Sequence, residues 1–286
     1  MHNIKFLKTL TTGAMLASVA FVQNLSAQEA TVQEGQDCGG NCTWRYDPSS
    51  QTLSFTGTGV INGYYNKDDF GPIKNLVIGE GITHVGYGSN IQFNSLGNVA
   101  NSRLVLPSSM QYISINAFDD SRFKTIEISL KNMTYLEWPS IRNTGLNNLV
   151  LTPGENFAFP SDVALSGSFN VQCKGAIADC QKAIANISNK VLNLEHYKEY
   201  DTNNKLILEY SDTGYIKYDE SGRILGEYSL NDKQLKSWDY AADGSVYTYD
   251  ANHNLVGAKK TSPFTPAEAA ALVKKGNHNT VTLTFK

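Results

Sequence analysis

Histidines and paired carboxylates could carry acid–base chemistry in this chain, but their spacing argues against it. Asp68 and Asp69 are adjacent, so on a strand or loop their carboxylates point apart and do not form a catalytic pair. No nucleophile elbow and no phosphate-binding loop occurs in the sequence. We therefore predict no catalytic residue and no enzyme. The histidines are scattered without metal-ligand spacing, at His2, His84, His196, His253 and His278.

Two turns have a faint resemblance to calcium loops, namely Asp201-x-Asn203 and Asp250-x-Asn252. Neither has the alternating ligand set, the glycine and the distal glutamate that such loops require. Aspartate and asparagine also form turns by bonding to nearby backbone amides, which explains their presence. The Gly57-Thr-Gly59 segment lacks the spacing and the following helix of a dinucleotide fingerprint. We predict no metal and no cofactor.

The four cysteines form two close pairs. The number of cysteines is even, and an exported protein can form disulfides in an oxidising compartment. Four cysteines allow three connectivities. If the chain stacks in sequence order, the two pairs lie at opposite ends of the stack, and only local pairing satisfies disulfide distances. A zinc site is the alternative, but the spacing is poor for zinc. The sequence predicts two local disulfides, Cys38–Cys42 and Cys173–Cys180.

Tyrosines are the residues best suited to contact a ligand. Most of them alternate with aliphatic residues, which favours cross-strand packing over ring stacking on a sugar. A few depart from that register or cluster in loops, where an exposed aromatic ring is a candidate for binding. The candidate ligand-binding residues are Tyr64, Tyr65, Tyr87, Tyr215, Tyr240 and Tyr247.

Composition indicates a globular chain and excludes two partner classes. Charged residues make up 18% and hydrophobic residues 41% of the 286 residues, and the formal net charge is -3. Disordered chains are more polar and more strongly charged. Nucleic acid and anionic membrane surfaces call for a strong positive charge, so neither partner is predicted.

Residues 1–27 have the pattern of a signal peptide. Lys5 and Lys8 precede the apolar run Leu10–Val22, which is short for a membrane span, and Ser26-Ala27 offers small residues for cleavage. A permanent N-terminal anchor is the alternative. Cleavage removes two lysines and no acid, which lowers the formal charge from -3 to -5. We predict a secreted, periplasmic or cell-surface protein without a later membrane span.

A leucine-rich pattern recurs through the first half of the chain. The six-residue unit L-x-x-L-x-L occurs at 73–78, 101–106, 123–128 and 146–151, with steps of 28, 22 and 23 residues between its central positions. These steps are typical of leucine-rich repeats, in which each coil buries its apolar side chains against its neighbours. The sequence predicts a mainly β solenoid. A β-hairpin over 38–61 would cap one end, and an amphipathic helix over 174–188 would cover the other.

The hairpin CGGNCTWRYDPSSQTLSFTGTG, followed by IKNLVIGEGITHVG and LVLPSSMQYISINAF, resembles the BspA-like leucine-rich repeat proteins of bacterial surfaces. The resemblance covers residues 38–195. The third and fourth repeats lack the Pro-Ser and Ala-Phe elements of the motif. The resemblance implies a secreted or surface scaffold, often adhesive, and carries no catalytic site.

From His196 onward the periodicity changes to aromatic residues about 10 positions apart, each followed by a turn and an aliphatic residue. This pattern predicts an antiparallel β-meander over 196–260. The segment YDESGRIL resembles the YD repeat of RHS-type bacterial proteins, which implies surface association. The recurring aromatics are Tyr200, Tyr210, Tyr218, Tyr228, Trp238 and Tyr249.

A helix and a strand are predicted for the tail, 261–286. Thr265, Pro266 and Glu268 form the start signal of the helix, and Gly276 ends it. The predicted domains are therefore a signal peptide over 1–27, a repeat domain over 28–195, a meander over 196–260 and this tail. We expect a non-enzymatic secreted or cell-surface scaffold that binds a protein or carbohydrate ligand. The alternative is a structural or regulatory envelope protein whose C-terminal repeats dock a partner.

Overall fold

The computed structural model describes residues 31–285 with short gaps, and the predicted signal peptide lies outside this part. The gaps are 37, 40, 64, 67, 87–92, 95, 138–139, 162, 188–191 and 277–280. Within the described residues, no helix is both long and apolar enough to cross a membrane.

Three antiparallel strands open the fold: β1 (Gln33–Gly35), β2 (Asn41–Asp47) and β3 (Thr52–Ile61). Strands β2 and β3 pair along their whole shared length, with Trp44 opposite Phe55. The turn between them places Gln51 at a positive φ of 52°. The alternation of apolar residues in both strands puts one face of the hairpin against the core.

Strand β3 passes from one sheet into a second one, and two glycines allow the change of direction. Gly57 and Gly59 have φ values of 123° and 91°, where a side chain is strained. A Cβ atom on Gly57 would lie 1.9 Å from the carbonyl oxygen of Asn41, so the close approach of β2 also requires glycine here.

The coils of the chain stack into a parallel β-solenoid that begins on β3. The strands of its main sheet bring the central repeat positions Leu76, Leu104, Ile126 and Leu149 into one register. This arrangement confirms the mainly β repeat architecture. The main-sheet strands after β3 begin at residues 75, 103, 125, 148, 169 and 192.

Each of the first coils carries additional short strands that the sequence pattern did not predict. In chain order the strands are β4 (Tyr65–Asn66), β5 (Asn75–Ile78), β6 (Ile82–Val85), β7 (Phe93–Asn94), β8 (Arg103–Val105), β9 (Tyr112–Ile113), β10 (Phe118–Ser121), β11 (Thr125–Ser129), β12 (Tyr135–Leu136), β13 (Ile141–Thr144), β14 (Asn148–Thr152), β15 (Ala164–Ser166), β16 (Phe169–Cys173) and β17 (Leu192–His196). Strands β3, β6, β9 and β12 form the second parallel sheet, and β10, β13 and β15 form a third. The solenoid is therefore walled by strands on several sides.

The core lies inside these coils. The repeat leucines and isoleucines are buried, as the pattern predicts. Phenylalanine rings fill the interior between the walls, where Phe93 packs between Phe55 of the main sheet and Phe118, with ring centroids 5.3 and 5.2 Å away. Stacking copies of one apolar row in this way buries surface that a single coil would expose.

Helix α1 (Ile177–Ile184) covers the C-terminal end of the solenoid and is shorter than the predicted 174–188. It buries Cys180, Ala183 and Ile184 against the last coils. A disulfide joins Cys180 of α1 to Cys173 on β16. A second disulfide joins Cys38 to Cys42 on β2, in the N-terminal hairpin.

The remaining strands form an eight-stranded sheet, in sequence order, of which the first seven are antiparallel. Its elements are β18 (Lys198–Tyr200), β19 (Leu206–Tyr210), β20 (Gly214–Tyr218), β21 (Ile224–Ser229), β22 (Gln234–Tyr240), β23 (Val246–Asp250), β24 (Leu255–Lys260), helix α2 (Pro266–Lys275) and β25 (Thr282–Phe285). Strand β25 pairs in parallel with β24, because α2 returns the chain to the same end of the sheet. Thr265 and Glu268 form a capping box at the start of α2.

Candidate binding surfaces

The outward face of the main sheet carries polar side chains in register from coil to coil. The first outward row consists of Thr52, Asn75, Arg103, Thr125, Asn148, Asn170 and Asn193. Hydrogen bonds along the row fix the side chains, such as Asn75 Nδ2 to Thr52 Oγ1 at 3.1 Å and Asn193 Nδ2 to Asn170 Oδ1 at 3.0 Å. Fixed polar groups on a sheet face lose little entropy on binding, which suits recognition.

A second outward row contains apolar residues among polar ones. Its members are Ser54, Val77, Val105, Glu127, Val150, Gln172 and Glu195. Val77 and Val105 lie side by side and are half-buried. Val150, by contrast, is only 3% exposed although it points outward. The outward face is therefore covered most completely at Val150, whereas Asn193 and Glu195 on β17 are exposed.

A cluster of charges lies beside Val150, because its central residue Glu127 is the register partner of Val150 on the neighbouring strand. Glu127 accepts hydrogen bonds from Arg103 and from Lys174, and the side chains of Glu127 and Lys174 are 17% and 18% exposed. The ammonium of Lys174 also lies 4.3 Å from the centre of the Tyr197 ring. Burial alone would raise the pKa of Glu127, but the two cations outweigh burial and hold that pKa below its usual value of 4.5. The carboxylate therefore stays charged at neutral pH.

Tyr197 joins the solenoid to the eight-stranded sheet. Its backbone N–H donates to Cys173 O at 3.0 Å, and its carbonyl accepts from Tyr210 N at 3.0 Å. Its hydroxyl donates to Glu199 Oε2 at 2.9 Å. Burial raises the pKa of Tyr197, and it also raises that of Tyr210 to about 12, with Glu127 contributing to both. The two phenols thus lie near the charge cluster.

The turns of the eight-stranded sheet contact the solenoid at two further points. Asp212 Oδ1 accepts from the backbone N–H of Ile177 at 3.0 Å, which caps the start of α1 from outside the helix. Lys131 Nζ donates to Leu230 O at 3.2 Å. A cleft of about 680 Å³ lies beside this second contact, between the loops after β11, β14 and β16 and the β21–β22 turn.

The predicted tyrosines do not converge on one site. Tyr64 and Tyr87 lie outside the described residues. Tyr65 is buried against Phe55 and Phe93, with centroids 4.9 and 5.4 Å away, so it faces inward.

Tyr215 also faces inward, which corrects the expectation that it points to solvent. Its ring stacks on Tyr228 at 5.0 Å, and its hydroxyl donates to Asp232. Tyr240 and Tyr247 are half-buried and occupy opposite faces of the sheet, since Tyr240 follows Trp238 on one face and Tyr247 lies opposite Asp239 on the other. A ligand role at either one stays a prediction.

One face of the eight-stranded sheet forms a shallow groove, which the sequence pattern does not predict. Trp238 and Tyr240 line it on β22, and Gly257 on β24 lies between Thr248 and Thr282. A Cβ atom on Gly257 would come no closer than 3.5 Å to its neighbours, so neither backbone nor packing requires a glycine there. The groove has a volume of about 530 Å³.

A second aromatic feature is not visible in the sequence, because its members lie in different repeats. His84, Tyr112 and Tyr135 occupy one register position of the second sheet, with ring centroids 5.6 Å apart at each step. Tyr135 ends the stack and is exposed. Burial, together with hydrogen bonding to Glu137, raises the pKa of Tyr112 to about 12, so its hydroxyl stays protonated.

The carboxylates of the hairpin turns bond to their own backbone. Asp201 Oδ1 accepts from Asn203 N and Lys205 N at 2.8 Å each, and Asp250 Oδ1 accepts from Asn252 N and Asn254 N at 2.9 Å each. This geometry is that of an Asx turn. In the part of the chain that the structure describes, no group of histidine, cysteine and acidic side chains converges as a metal site.

Comparison with known proteins gives one structural neighbour. No protein-family model matches the chain, and no curated protein matches it. A leucine-rich repeat protein from Eubacterium ventriosum is similar in structure, with 14% sequence identity and a TM-score of 0.30. The similarity covers 71% of this chain and 50% of that protein, so the chain spans about half of its length.

Proposed function

We propose that this chain is an exported, non-enzymatic repeat scaffold that binds a protein or carbohydrate ligand at the bacterial surface. The ligand contacts the outward face over β3, β5 and β8. The signal-peptide pattern of residues 1–27 and the two disulfides support export. The resemblance of 38–195 to BspA-like surface proteins supports adhesion.

The paired valines on the outward face are the observation that carries this proposal. Val77 and Val105 form a half-buried apolar pair on adjacent strands, and Ser54, Asn75 and Arg103 surround it. A small apolar centre with a polar rim is typical of protein–protein interfaces. This composition favours a protein over a carbohydrate on this face.

The charge cluster sets the limit of the surface. Beyond Val105 the outward rows reach Glu127 and Val150, where Lys174 and the Tyr197 junction occupy the face. A ligand that displaced them would uncover a buried ion pair, which is costly. The proposed contact area therefore ends at β8.

Partner capture followed by a matched pair of substitutions tests this proposal. The chain is immobilised, partners are captured from envelope and host-surface fractions, and each purified partner is titrated alongside a glycan array. We expect Val77→Glu to weaken binding at least about tenfold, because it places a charge in the apolar centre of the interface. Val60→Glu is the control, since Val60 is an equally half-buried outward residue on the second sheet.

Equal binding by both variants and the unsubstituted chain would rule out the outward face as the ligand surface. Circular dichroism and thermal unfolding of each variant show whether it is folded, so that a folding defect is distinguished from a loss of binding. If the chain chemically converts a captured partner, and a point substitution in the chain abolishes that conversion, the non-enzymatic assignment is wrong.

The groove around Gly257 favours the second candidate function, a structural or regulatory envelope protein whose C-terminal sheet docks a partner. Trp238 and Tyr240 give this face a rigid aromatic wall, and exposed aromatic residues are enriched where partners bind. Under this alternative Trp238→Ala abolishes partner capture and Val77→Glu leaves it unchanged, so the same titration separates the two functions.

A further inference from the structure

The last strand of the eight-stranded sheet has an open edge. Within the described residues, β25 pairs only with β24 and ends the strand order. Its side chains are largely uncovered, and Phe285 is 58% exposed. An edge strand offers a row of free backbone donors and acceptors to any second strand.

The two edges of this sheet differ in how they are protected. The opposite edge, β18, carries Lys198 and Glu199, has an irregular register between Glu199 and Tyr200, and begins next to the Tyr197 junction. Charges and irregular register are the usual means of preventing edge pairing. From Val281 to Phe285 the sequence has no charged residue and no proline, and β25 keeps a regular register along its whole length.

The sequence of this edge is also symmetric in residue type. The sequence is Val-Thr-Leu-Thr-Phe. An apolar residue lies at each end, a threonine lies next to each of them, and Leu283 is the central residue. The register with β24 puts Leu283 and Phe285 on the face that carries Ala258 and Lys260, and the two threonines on the other face. Such a strand is complementary to an antiparallel copy of itself, as a twofold contact requires.

We propose that β25 pairs antiparallel with β25 of a second copy of this chain, about a twofold axis at Leu283. Thr282 then lies opposite Thr284 of the second copy, and Phe285 lies opposite Val281. The two eight-stranded sheets become continuous, and the exposed Phe285 ring gains a cross-strand apolar neighbour.

This pairing goes beyond the proposed ligand binding and has a consequence for it. A twofold dimer joined at the C-terminal sheets carries two solenoids, and therefore two outward faces. Two linked binding surfaces hold a repetitive or multivalent surface far more tightly than one, without any new contact to the ligand.

Sedimentation equilibrium over a concentration series tests the pairing, with two charge variants that differ in one residue. In T282K/T284K, lysine faces lysine across the axis at two places, so we expect the association constant to fall by about tenfold. In T282K/T284E, each lysine faces a glutamate of the second copy, so we expect a dimer that high salt weakens. Thr282 and Thr284 are both exposed, so we expect both variants to fold like the unsubstituted chain.

A cysteine pair checks the register independently. Leu283→Cys places a thiol opposite its own copy, at a separation that disulfide geometry allows, and should give a covalent dimer on mild oxidation. Phe285→Cys faces Val281 instead and should remain uncrosslinked.

A wild-type chain that stays monomeric over the whole series overturns the proposal. Charge variants that dimerise equally well overturn it too, as does cross-linking through position 285 in preference to 283.

Discussion

Glu127 is the residue whose substitution tests the junction between the two sheets most directly. It lies between Arg103 and Lys174, and all three side chains are partly or largely withdrawn from water, with Arg103 at 41% exposed. Removing one partner of a buried ion pair costs about 3–5 kcal/mol, because the other charge loses its compensation. The glutamine side chain keeps one acceptor and Arg103 keeps access to water, so we expect Glu127→Gln to lower the free energy of unfolding by about 3 kcal/mol.

Denaturant unfolding measures this loss, and the exposed pair of Glu34 and Arg45 provides the control. Those two side chains are 67% and 52% exposed with a separation of 3.1 Å, so Glu34→Gln should cost less than about 1 kcal/mol. The double variant Glu127→Gln with Lys174→Met should be less destabilised than the two single effects predict, because it removes both charges together. Additive effects would show that Glu127 and Lys174 do not act as a pair.

The pH dependence gives a second check on the same residue. The pKa of Glu127 is depressed in the folded chain relative to its usual value of 4.5. A depressed carboxyl pKa adds stability above the unfolded pKa, and that stability is lost as pH falls through the folded pKa. The difference in unfolding free energy between the wild type and Glu127→Gln should therefore be constant at neutral pH and shrink below about pH 4.5. A difference that persists unchanged in acid would refute the charge argument.

Three further predictions concern the core, the disulfides and the junction. Leu104→Ala should lower the free energy of unfolding by about 2–5 kcal/mol, since Leu104 is fully buried, and a near-neutral result would contradict the repeat register. Mass spectrometry of a non-reduced digest should recover both local disulfides, and long-range linkage or free thiols would contradict them. Limited proteolysis should spare residues 193–200, because Tyr197 bonds to both sheets, and rapid cleavage there would mean that the junction opens.

Sequence periodicity was sufficient to locate the main sheet of the solenoid. Leu76, Leu104, Ile126 and Leu149 recur because each coil must present an apolar residue at the same height. The pattern does not predict the second and third sheets, because their strands are short. Strands β9 and β12 have two residues each, and β10, β13 and β15 have three or four, which is too few to establish an alternation.

Exposure was harder to predict than secondary structure. Alternation along a strand tells which residues share a face, but not which face another element covers. The sequence predicts that Tyr215 faces outward. In the structure its ring stacks on that of Tyr228, which is its register partner on the neighbouring strand. Val150 occupies an outward position and is nevertheless buried beside the junction.

The same junction decides how the two periodicities of the sequence are joined. His196 still belongs to the solenoid, in register with Cys173, and β18 begins at Lys198, so a single residue separates the sheets. Since Tyr197 donates to one sheet and accepts from the other, neither sheet can rotate freely without breaking a backbone hydrogen bond. The Glu127 cluster and the cap that Asp212 forms on α1 add contacts on either side of this residue. The eight-stranded sheet is thereby held against the solenoid beside the charge cluster. Among the described residues, the proposed ligand surface at Val77 and Val105 and the proposed pairing edge of β25 therefore stay uncovered by each other's sheet.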